Sequence, residues 1–369
     1  MKKILFVVNV DWAFISHRLP IALEAIKQGF EVHIACAISE RKEFLEGHGL
    51  IVHPINISRS GVNPFKELGC VRELFQIIRL VKPDVTHAVT IKPVLYANII
   101  ARILKVPKRV SAISGLGYVF IAEGYRSEIF RFFISFLYKI ALTNSNSIIF
   151  QNEDDARVLR LLRVVNKDQE VLIRGSGVDL DKFRVTKEPD GTPVVMLLAR
   201  LLFDKGVLEF VEAARILNKD KVAIRMVLVG EVDFGNPKSV TPEQLTSWVK
   251  EGVVEHWGYR KDVAKTISES TIMVLPSYRE GLPKSLIEAA ACGRAVITTD
   301  VPGCRDAIEP NVTGILVPVK SPQDLAQAIL FLVKKETLRK ELASEGRRLA
   351  ESAFDVNAVV NRHIEIYRK

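Results

Sequence analysis

The sequence lacks the features that would assign it to several specialised classes of protein. Its cysteines are few, four in all (Cys36, Cys70, Cys292 and Cys304), and have no close paired spacing, so neither a zinc site nor a disulfide framework is predicted. No stretch reaches the roughly 18 uninterrupted apolar residues typical of a membrane-spanning helix. The apolar run at the N-terminus is short, ends at Asp11 and has no small-residue cleavage site after it, which favours a buried strand over a signal peptide. A reducing cytoplasm is the expected location.

The composition that is present is typical of a soluble globular protein with a large core. Hydrophobic residues make up 48% of the 369 residues and charged residues 26%, and this length predicts about two domains. Lysine and arginine (52) outnumber aspartate and glutamate (43), so the formal net charge is +9. That charge favours an anionic partner, such as a nucleotide, nucleic acid or an anionic membrane surface. No basic helix or aromatic motif of the nucleic-acid-binding kind is present, so nucleic acid is not an expected partner.

Short apolar segments alternate with helical patterns along the whole chain. This repeated β-α order predicts an α/β fold, in which parallel sheets are covered by helices on both faces. The alternation restarts near residue 170, so we expect two doubly wound, Rossmann-like domains. The predicted boundaries are residues 1–168 for the first domain, 169–352 for the second, and 353–369 for a final helix that packs back on the first domain.

The segment PSYREGLPKSLIEAAACG, residues 276–293, predicts a tight turn followed by a helix. A predicted buried strand, residues 271–275, precedes it, and Pro283 suits the first helical position. The free N–H groups at the start of such a helix favour an anion such as a phosphate. Glu280 in the turn and Glu288 in the helix flank that position. They are either solvated surface charges or carboxylates that bind a ligand.

Two cations follow another predicted strand in the second half. The segment ARLLFDKG places Arg200 and Lys205 at the edge of the sheet where ligands bind. Arginine suits bidentate contact with a phosphate, and lysine supplies a point charge. Alone, such a pair is more often surface charge. Together with the helix start and the two glutamates, it predicts a nucleotide-sugar site, where cations bind the diphosphate and carboxylates accept hydrogen bonds from sugar hydroxyls.

The first half offers two turns at the corresponding edge of its own sheet. The turn after the first strand, NVDWAFISHRLP, has no glycine, which argues against a dinucleotide pyrophosphate there, and it carries His17 and Arg18 instead. His17 could touch a substrate or only pack at the start of a helix, and the residues leave that choice open. The second turn, ISGLGYVFIAEG, contains Gly115 and Gly117. These glycines permit close approach of a ligand but also fit a tight turn without one.

The helical pattern of residues 125–142 is unusually aromatic and has interleaved basic residues. Its apolar residues extend most of the way round the helix, beyond the usual one-sided stripe. A buried core helix and an interfacial membrane helix both show this pattern. We expect partial contact with a membrane or with a lipid-linked substrate.

Taken together, these motifs resemble those of the family 4 glycosyltransferases over nearly the whole chain. Glu280 and Glu288 match the family's pair of glutamates, and ARLLFDKG matches its Arg…Lys-Gly segment. The segments GVDLDKF, LVGE, WGYRKD, VPGCRDAI and TGILV fall in the family's order, each after the predicted strand where the fold needs it. The resemblance implies the GT-B fold, in which two Rossmann-like domains face each other across a cleft. It also implies retaining transfer of a sugar from a nucleotide sugar.

The resemblance further implies roles for residues around the leaving diphosphate and the transferred sugar. Arg200 and Lys205 would neutralise the donor diphosphate as it leaves, which needs charge stabilisation more than a strong base. Glu280, with the backbone N–H groups of Gly281 and Leu282, would hold the transferred sugar. No metal or other cofactor is expected beside the nucleotide sugar.

The nucleoside end of the donor is assigned in the same way. Glu288, in the helix that follows Pro283, would hold the ribose hydroxyls. The loops at Gly230–Glu231 and Tyr259–Arg260 would lie around the base. The expected base is uridine.

Two segments resemble a subgroup of the family that extends lipid-diphosphate-linked oligosaccharides with an N-acetylhexosamine or a hexose. They are SGLGYVF and NVDWAFISHRLP, and the second would face the acceptor. His17, Arg18, Ser114, Gly115 and Gly117 are therefore expected on the acceptor side, although many family members have a histidine where Ser114 stands. The resemblance implies a polyprenyl-diphosphate-linked sugar acceptor and bacterial surface-glycan or glycoprotein-glycan assembly. It also implies a peripheral position on the inner face of the cytoplasmic membrane.

Two other classes of protein could share this architecture. A nucleotide-sugar epimerase would bind a similar donor, but the glutamate spacing and the Arg…Lys segment favour transfer. A catalytically inactive binding protein would need none of the four charged residues. The presence of Arg200, Lys205, Glu280 and Glu288 argues against it.

Overall fold

The computed structural model describes residues 1–58, 63–116 and 125–369, except for the side chains of residues 125–133. It divides into two compact units. The first unit comprises Met1–Ser176 with Asn357–Lys369, and the second comprises Gly177–Val356. No helix in these described ranges is both long and apolar enough to cross a membrane.

The first unit is a parallel sheet flanked by helices. Its strands are β1 (Lys3–Val10), β2 (Glu31–Ala37), β3 (Ile51–Pro54), β4 (Val85–Val89), β5 (Lys108–Ile113), β6 (Ser147–Phe150) and β7 (Glu170–Leu172). Its helices are α1 (Asp11–His17), α2 (Leu19–Lys27), α3 (Lys42–Gly47), α4 (Pro64–Val81), α5 (Ile91–Ile103), α6 (Tyr125–Leu142) and α7 (Glu153–Leu161). The strand order is β3-β2-β1-β4-β5-β6-β7. All of the pairings are parallel, and the residues of β4 and β6 are almost entirely buried, as expected for a sheet covered on both faces.

The second unit repeats this architecture. Its strands are β8 (Val194–Leu198), β9 (Arg225–Val229), β10 (Glu255–His256), β11 (Ile272–Leu275), β12 (Ala295–Thr299) and β13 (Gly314–Val317), in the order β10-β9-β8-β11-β12-β13. Its helices are α8 (Val207–Lys219), α9 (Pro242–Glu251), α10 (Val263–Ser268), α11 (Lys284–Ala291), α12 (Pro322–Lys334) and α13 (Glu336–Ala353). The last helix, α14 (Val356–Arg368), returns the chain to the first unit. The α/β fold with two doubly wound sheets is therefore confirmed.

Each sheet has one place where the strand order reverses. In the first unit it lies between β1 and β4, and in the second it lies between β8 and β11. Ligands of open α/β sheets bind outside the carboxyl ends of the strands at such a reversal. The two segments that the sequence singled out in the second half, after β8 and after β11, both lie at this point.

The structure corrects the predicted boundary between the domains. Residues 169–176 were assigned to the second domain, but Glu170–Leu172 forms β7 and pairs with β6 at the edge of the first sheet. The division falls between Ser176 and Gly177 instead. The predicted start of the final segment at residue 353 also shifts, because Asp355 still bridges to Val178 in the second unit and the first unit resumes at Asn357.

The segment after β1 is another correction. The sequence suggested a turn over this segment with a helix starting near His17, but Asp11–His17 forms helix α1 and a second helix starts at Leu19. Asp11 is fully buried, and its carboxylate accepts hydrogen bonds from the backbone N–H (2.8 Å) and hydroxyl (2.9 Å) of Ser39. A contact so distant in sequence fixes the start of α1. His17 thus ends a helix, and Arg18 joins two helices.

Candidate active site

The loop between β11 and α11 holds Glu280 at the carboxyl edge of the second sheet. The backbone N–H of Glu280 donates to the carbonyl oxygen of Pro302 (3.0 Å), and the hydroxyl of Ser277 donates to its Oε1 (2.8 Å). Gly303 supports the loop from below with φ +81°. A Cβ atom there would lie 2.4 Å from the carbonyl oxygen of Glu280, so only glycine fits. The position of this carboxylate is therefore set by contacts on several sides.

Lys205 reaches Glu280 from the segment that follows β8. Its Nζ lies 2.5 Å from Glu280 Oε1, and both side chains are mostly buried. The loops that carry the two residues are joined by a hydrogen bond from the Tyr278 N–H to the Asp204 carbonyl oxygen (2.9 Å). Gly206 has φ +74°, and a Cβ on it would lie 2.1 Å from the carbonyl oxygen of Pro276. The structure thus brings together two charged residues that are 75 positions apart.

The start of α11 provides the backbone groups expected near Glu280. Lys284 begins the helix, and Pro283 precedes it as the N-cap with extended backbone (ψ 116°), one residue earlier than the predicted helical position. Leu282 is buried, and Gly281 lies beside it in the same loop. Because Pro283 has no N–H, the N–H groups of the loop residues and of the first turn are those available to an anion.

Glu288 is the deeply buried acid of this site. It lies on the second turn of α11 with 7% of its surface exposed. Burial raises the pKa of its carboxyl to about 6, and nearby Lys284 and Lys182 oppose that rise. The Nζ of Lys284 lies 3.6 Å from Glu288 Oε1, longer than a hydrogen bond. A carboxylate held in this way is costly to ionise unless a ligand donates hydrogen bonds to it.

Arg200 pairs with an acid that the sequence reading did not single out. Its guanidinium donates to Asp233 Oδ2 (2.7 Å), in the loop after β9. The same loop carries Lys238, whose Nζ lies 3.0 Å from both carboxylate oxygens of Asp204. The backbone N–H of Asp233 donates to the hydroxyl of Ser239 (2.7 Å), and this hydrogen bond holds Asp233 in place within the loop. The motif LVGE marks the start of this loop in the sequence, but it ends at Glu231 and does not point to Asp233.

The two loops predicted to surround the base lie at the ends of β9 and β10. The Gly230 N–H donates to the Gly258 carbonyl oxygen (3.0 Å), and the Glu231 carbonyl oxygen accepts from the Leu201 N–H (3.0 Å). The two loops are therefore adjacent, and the first is tied to the segment that bears Arg200.

The side chains of the second of these loops are open to solvent. Tyr259 is 61% exposed. The guanidinium of Arg260 lies over the ring of Trp257, 5.6 Å from its centroid. A solvent-facing tyrosine next to a cation on an aromatic ring can accept a planar base by stacking.

The described residues that were predicted to face the acceptor lie in the first unit. Nδ1 of His17 is 3.0 Å from the hydroxyl of Ser176, and the guanidinium of Arg18 donates to Ser114 Oγ (3.3 Å). Ser114 and Gly115 follow β5 at the carboxyl edge of the first sheet. Gly117 lies outside the described residues. The structure thus joins Arg18 to Ser114, but it pairs His17 with the end of the first unit instead.

A further polar contact in the second unit escaped the sequence reading. The Tyr278 hydroxyl donates to Glu209 Oε1 (2.6 Å), and the Lys320 ammonium lies over the Tyr278 ring, 5.1 Å from its centroid. The Tyr278 side chain thus connects helix α8 with the loop in which Glu280 lies. Among the described residues, no group of three or more potential metal ligands is found.

Comparison with known proteins identifies the class to which this fold and site belong. Residues 179–349 match the family described as glycosyl transferases group 1, and residues 3–152 match the family described as glycosyl transferase 4-like. The chain belongs to these glycosyltransferases, and the protein is a hexosyltransferase. The comparisons give no support to the epimerase alternative.

Particular relatives are similar over nearly the full length. The N,N'-diacetylbacillosaminyl-diphospho-undecaprenol alpha-1,3-N-acetylgalactosaminyltransferase of Campylobacter jejuni is 32% identical, and the alignment covers 96% of this chain and 97% of that protein. The UDP-Gal:alpha-D-GlcNAc-diphosphoundecaprenol alpha-1,3-galactosyltransferase of Escherichia coli is 20% identical over 83% of this chain and 80% of its own. Anabaena HepE, in a crystal structure with UDP and glucose, is similar in fold, with a TM-score of 0.81, 19% identity and 99% of both chains covered.

Proposed function

We propose that this enzyme transfers a hexose or an N-acetylhexosamine from a UDP-sugar to a polyprenyl-diphosphate-linked sugar, with retention of configuration. The product would serve bacterial surface-glycan or glycoprotein-glycan assembly. The similarity to transferases whose names specify undecaprenyl-diphosphate-linked sugars supports the acceptor. The buried pair of Lys205 and Glu280 at the strand-order reversal of the second sheet carries the assignment of the donor site.

The pair of Lys205 and Glu280 can exchange partners when a donor binds. Without a ligand, each neutralises the other. A donor diphosphate attracts the lysine because it carries more negative charge than one carboxylate. Glu280 then accepts hydrogen bonds from the hydroxyls of the sugar, while Arg200 adds a second cation beside the phosphates. In this scheme the charges stabilise the departing nucleoside diphosphate, and a phosphate oxygen takes the proton of the attacking acceptor hydroxyl.

Glu288 has a separate task, which is to bind the ribose of the nucleotide. Because its carboxylate is buried away from water, hydrogen bonds donated to it by the two ribose hydroxyls would stabilise the complex more than they would at the surface. The loop before α11 places backbone N–H groups of Gly281 and Leu282 near the sugar, and Pro283 sets the start of the helix. The base would be surrounded by Gly230, Glu231, Tyr259 and Arg260. No metal or cofactor is part of this proposal.

The proposal includes peripheral association with an anionic membrane on the cytoplasmic side. Helix α4 exposes 86% of Phe65 and 68% of Leu68, and it also exposes the basic residues Lys66, Arg72 and Arg79. Apolar side chains with interleaved cations favour an anionic bilayer surface. In α6, Tyr138 is fully buried and Phe136 is 54% exposed, so the described half of that helix has one core face and one outer face.

The test is release of nucleoside diphosphate from a panel of UDP- and GDP-sugars, with and without a polyprenyl-diphosphate sugar acceptor. We expect turnover with a UDP-sugar only when the lipid acceptor is present, and a product lipid that is heavier by one sugar. Release without acceptor, together with an altered free sugar, would indicate epimerisation. Absence of both turnover and nucleotide-sugar binding across the panel would contradict the donor-site assignment.

A further inference from the structure

Arg18 is a buried cation for which no acidic partner is found among the residues that the structure describes. Only 2% of its surface is exposed, and its guanidinium donates two long hydrogen bonds, to the His17 carbonyl oxygen (3.4 Å) and to Ser114 Oγ (3.3 Å). Its Nε has no hydrogen-bond partner, and no ion pair to Arg18 is found in the described ranges. Burial lowers its pKa to about 10, so the guanidinium stays charged at neutral pH. A buried charge is normally paired, because it is otherwise costly.

The described side chains around Arg18 are uncharged and do not neutralise the guanidinium. His87, His363 and Tyr367 lie near it, the last two contributed by α14, and the Tyr367 hydroxyl is 2.5 Å from Nδ1 of His87. Burial and the charge of Arg18 lower the pKa of both histidines, so both are neutral at pH 7. The Nε2 atoms of His87 and His363 have no hydrogen-bond partner within the described structure. These three neighbours of Arg18 are therefore polar but supply no carboxylate.

Ser114 connects this charge to the ligand-facing edge of the sheet. It directly follows β5, next to β4, and it is partly exposed. The bond from Arg18 is the one hydrogen bond that its hydroxyl makes in the described structure. A hydroxyl has one proton to donate, and an oxygen that accepts from a guanidinium must direct that proton elsewhere. Here the proton of Ser114 is left for a ligand, and the neighbouring cation strengthens the bond that it can donate.

We propose that Arg18 is a positioning residue that makes Ser114 a charge-assisted hydrogen-bond donor to a phosphate oxygen of a substrate. The inference rests on the proposed function, which supplies two diphosphates: the nucleoside diphosphate of the donor and the lipid diphosphate of the acceptor. The shared chemistry is an anionic diphosphate oxygen, which provides a negative charge that His87, His363 and Tyr367 do not supply. Tyr367 and His363 take part indirectly, because α14 brings both side chains close to the guanidinium.

The experiment compares Ser114→Ala, Arg18→Met and the double variant with the wild type. The measured quantities are kcat and separate KM values for the UDP-sugar and for the polyprenyl-diphosphate acceptor. Loss of a hydrogen bond to a charged group predicts a KM about tenfold to a hundredfold higher for one substrate in each single variant. The double variant should be no worse than the more affected single one, because Arg18 acts through Ser114. The substrate whose KM rises identifies which diphosphate is bound.

Two conservative variants separate charge from packing, and a third variant controls for loss of a hydroxyl elsewhere. Arg18→Lys retains the cation, so its KM should rise less than that of Arg18→Met. Ser114→Thr retains the hydroxyl, so its KM should rise less than that of Ser114→Ala. Ser352→Ala removes a hydroxyl that bonds only a helix carbonyl (Leu349, 3.3 Å), and it should leave both KM values unchanged. If Arg18→Met fails to fold, as judged by its melting temperature, the pair Ser114→Ala and Ser114→Thr still decides the question.

Three results would overturn the inference. They are unchanged KM values for both substrates in Ser114→Ala, additive effects of the two single substitutions, and an Arg18→Lys variant as impaired as Arg18→Met. Each of these requires that the wild type transfers sugar. Absence of transfer by the wild type itself would instead refute the proposed function.

Discussion

Glu288→Gln should stabilise the protein at neutral pH while weakening its donor site. The carboxyl of Glu288 has 7% of its surface exposed, and burial raises its pKa from 4.5 to about 6. A group whose pKa is higher in the folded state binds its proton more tightly there. Its contribution to stability is therefore fully present below pH 4.5 and is lost as the pH rises through about 6.

The magnitude follows from the two pKa values. Each step of one in pKa is worth about 1.4 kcal/mol, so the difference between 4.5 and about 6 corresponds to about 2 kcal/mol. Glutamine is neutral at every pH and has nearly the same shape, so it removes the free-energy cost of burying an ionised carboxylate. Relative to the wild type, the free energy of unfolding of Glu288→Gln should rise by about 2 kcal/mol between about pH 4 and about pH 7.5.

The assay is urea unfolding followed by tryptophan fluorescence, since Trp248 and Trp257 both lie in the second unit with Glu288. Glu341→Gln, at an exposed position of α13, is the matched control for the loss of one carboxylate. Binding of UDP is measured in parallel, and it should be weaker in Glu288→Gln because an amide replaces the carboxylate proposed to accept hydrogen bonds from the ribose hydroxyls. A stability difference that stays constant across this pH range would refute the reasoning about burial.

Three further predictions test the loop, the cation and the membrane surface. Gly303→Ala forces a Cβ to within 2.4 Å of a backbone carbonyl, and thermal melting should show a loss of about 1–3 kcal/mol that Gly69→Ala, with open space around it, does not show. Lys205→Met should lower kcat at least about a hundredfold in the transfer assay, as expected for loss of one preorganised charge at the leaving group, and unchanged kcat would exclude it. The double variant Phe65→Ser with Leu68→Ser should sediment less with anionic vesicles but retain its kcat on a short-chain acceptor.

Much of the second unit was predictable because its signals are local. The apolar strand before residue 276 and the helical spacing after Pro283 mark β11 and α11, and the order of motifs assigns Lys205 and Glu280 to one edge of a sheet. The ion pair between them follows from the strand order, since consecutive strand ends at a reversal lie side by side. Elements whose structure depends on residues close in sequence can be predicted from the sequence.

The features that were missed depend on contacts distant in sequence. Helix α1 is short, and its buried Asp11 is held by Ser39, so no local pattern announced it. Strand β7 has only three residues, and it exists because β6 offers an unpaired edge. Asp233 pairs with Arg200 from 33 positions away, and the motif LVGE at the start of its loop ends before it. In each case a tertiary partner decides the structure.

The most direct test of the central claim is sugar transfer by Glu280→Ala, measured as extension of a polyprenyl-diphosphate sugar acceptor by mass spectrometry. Glu341→Ala serves as the control, because it changes an exposed glutamate of the same unit. We expect Glu280→Ala to lose transfer by about a hundredfold or more while it still folds and binds UDP, since the proposed ribose contact of Glu288 is unchanged. Wild-type rates of transfer in Glu280→Ala would contradict the assignment of this loop as the site that holds the transferred sugar.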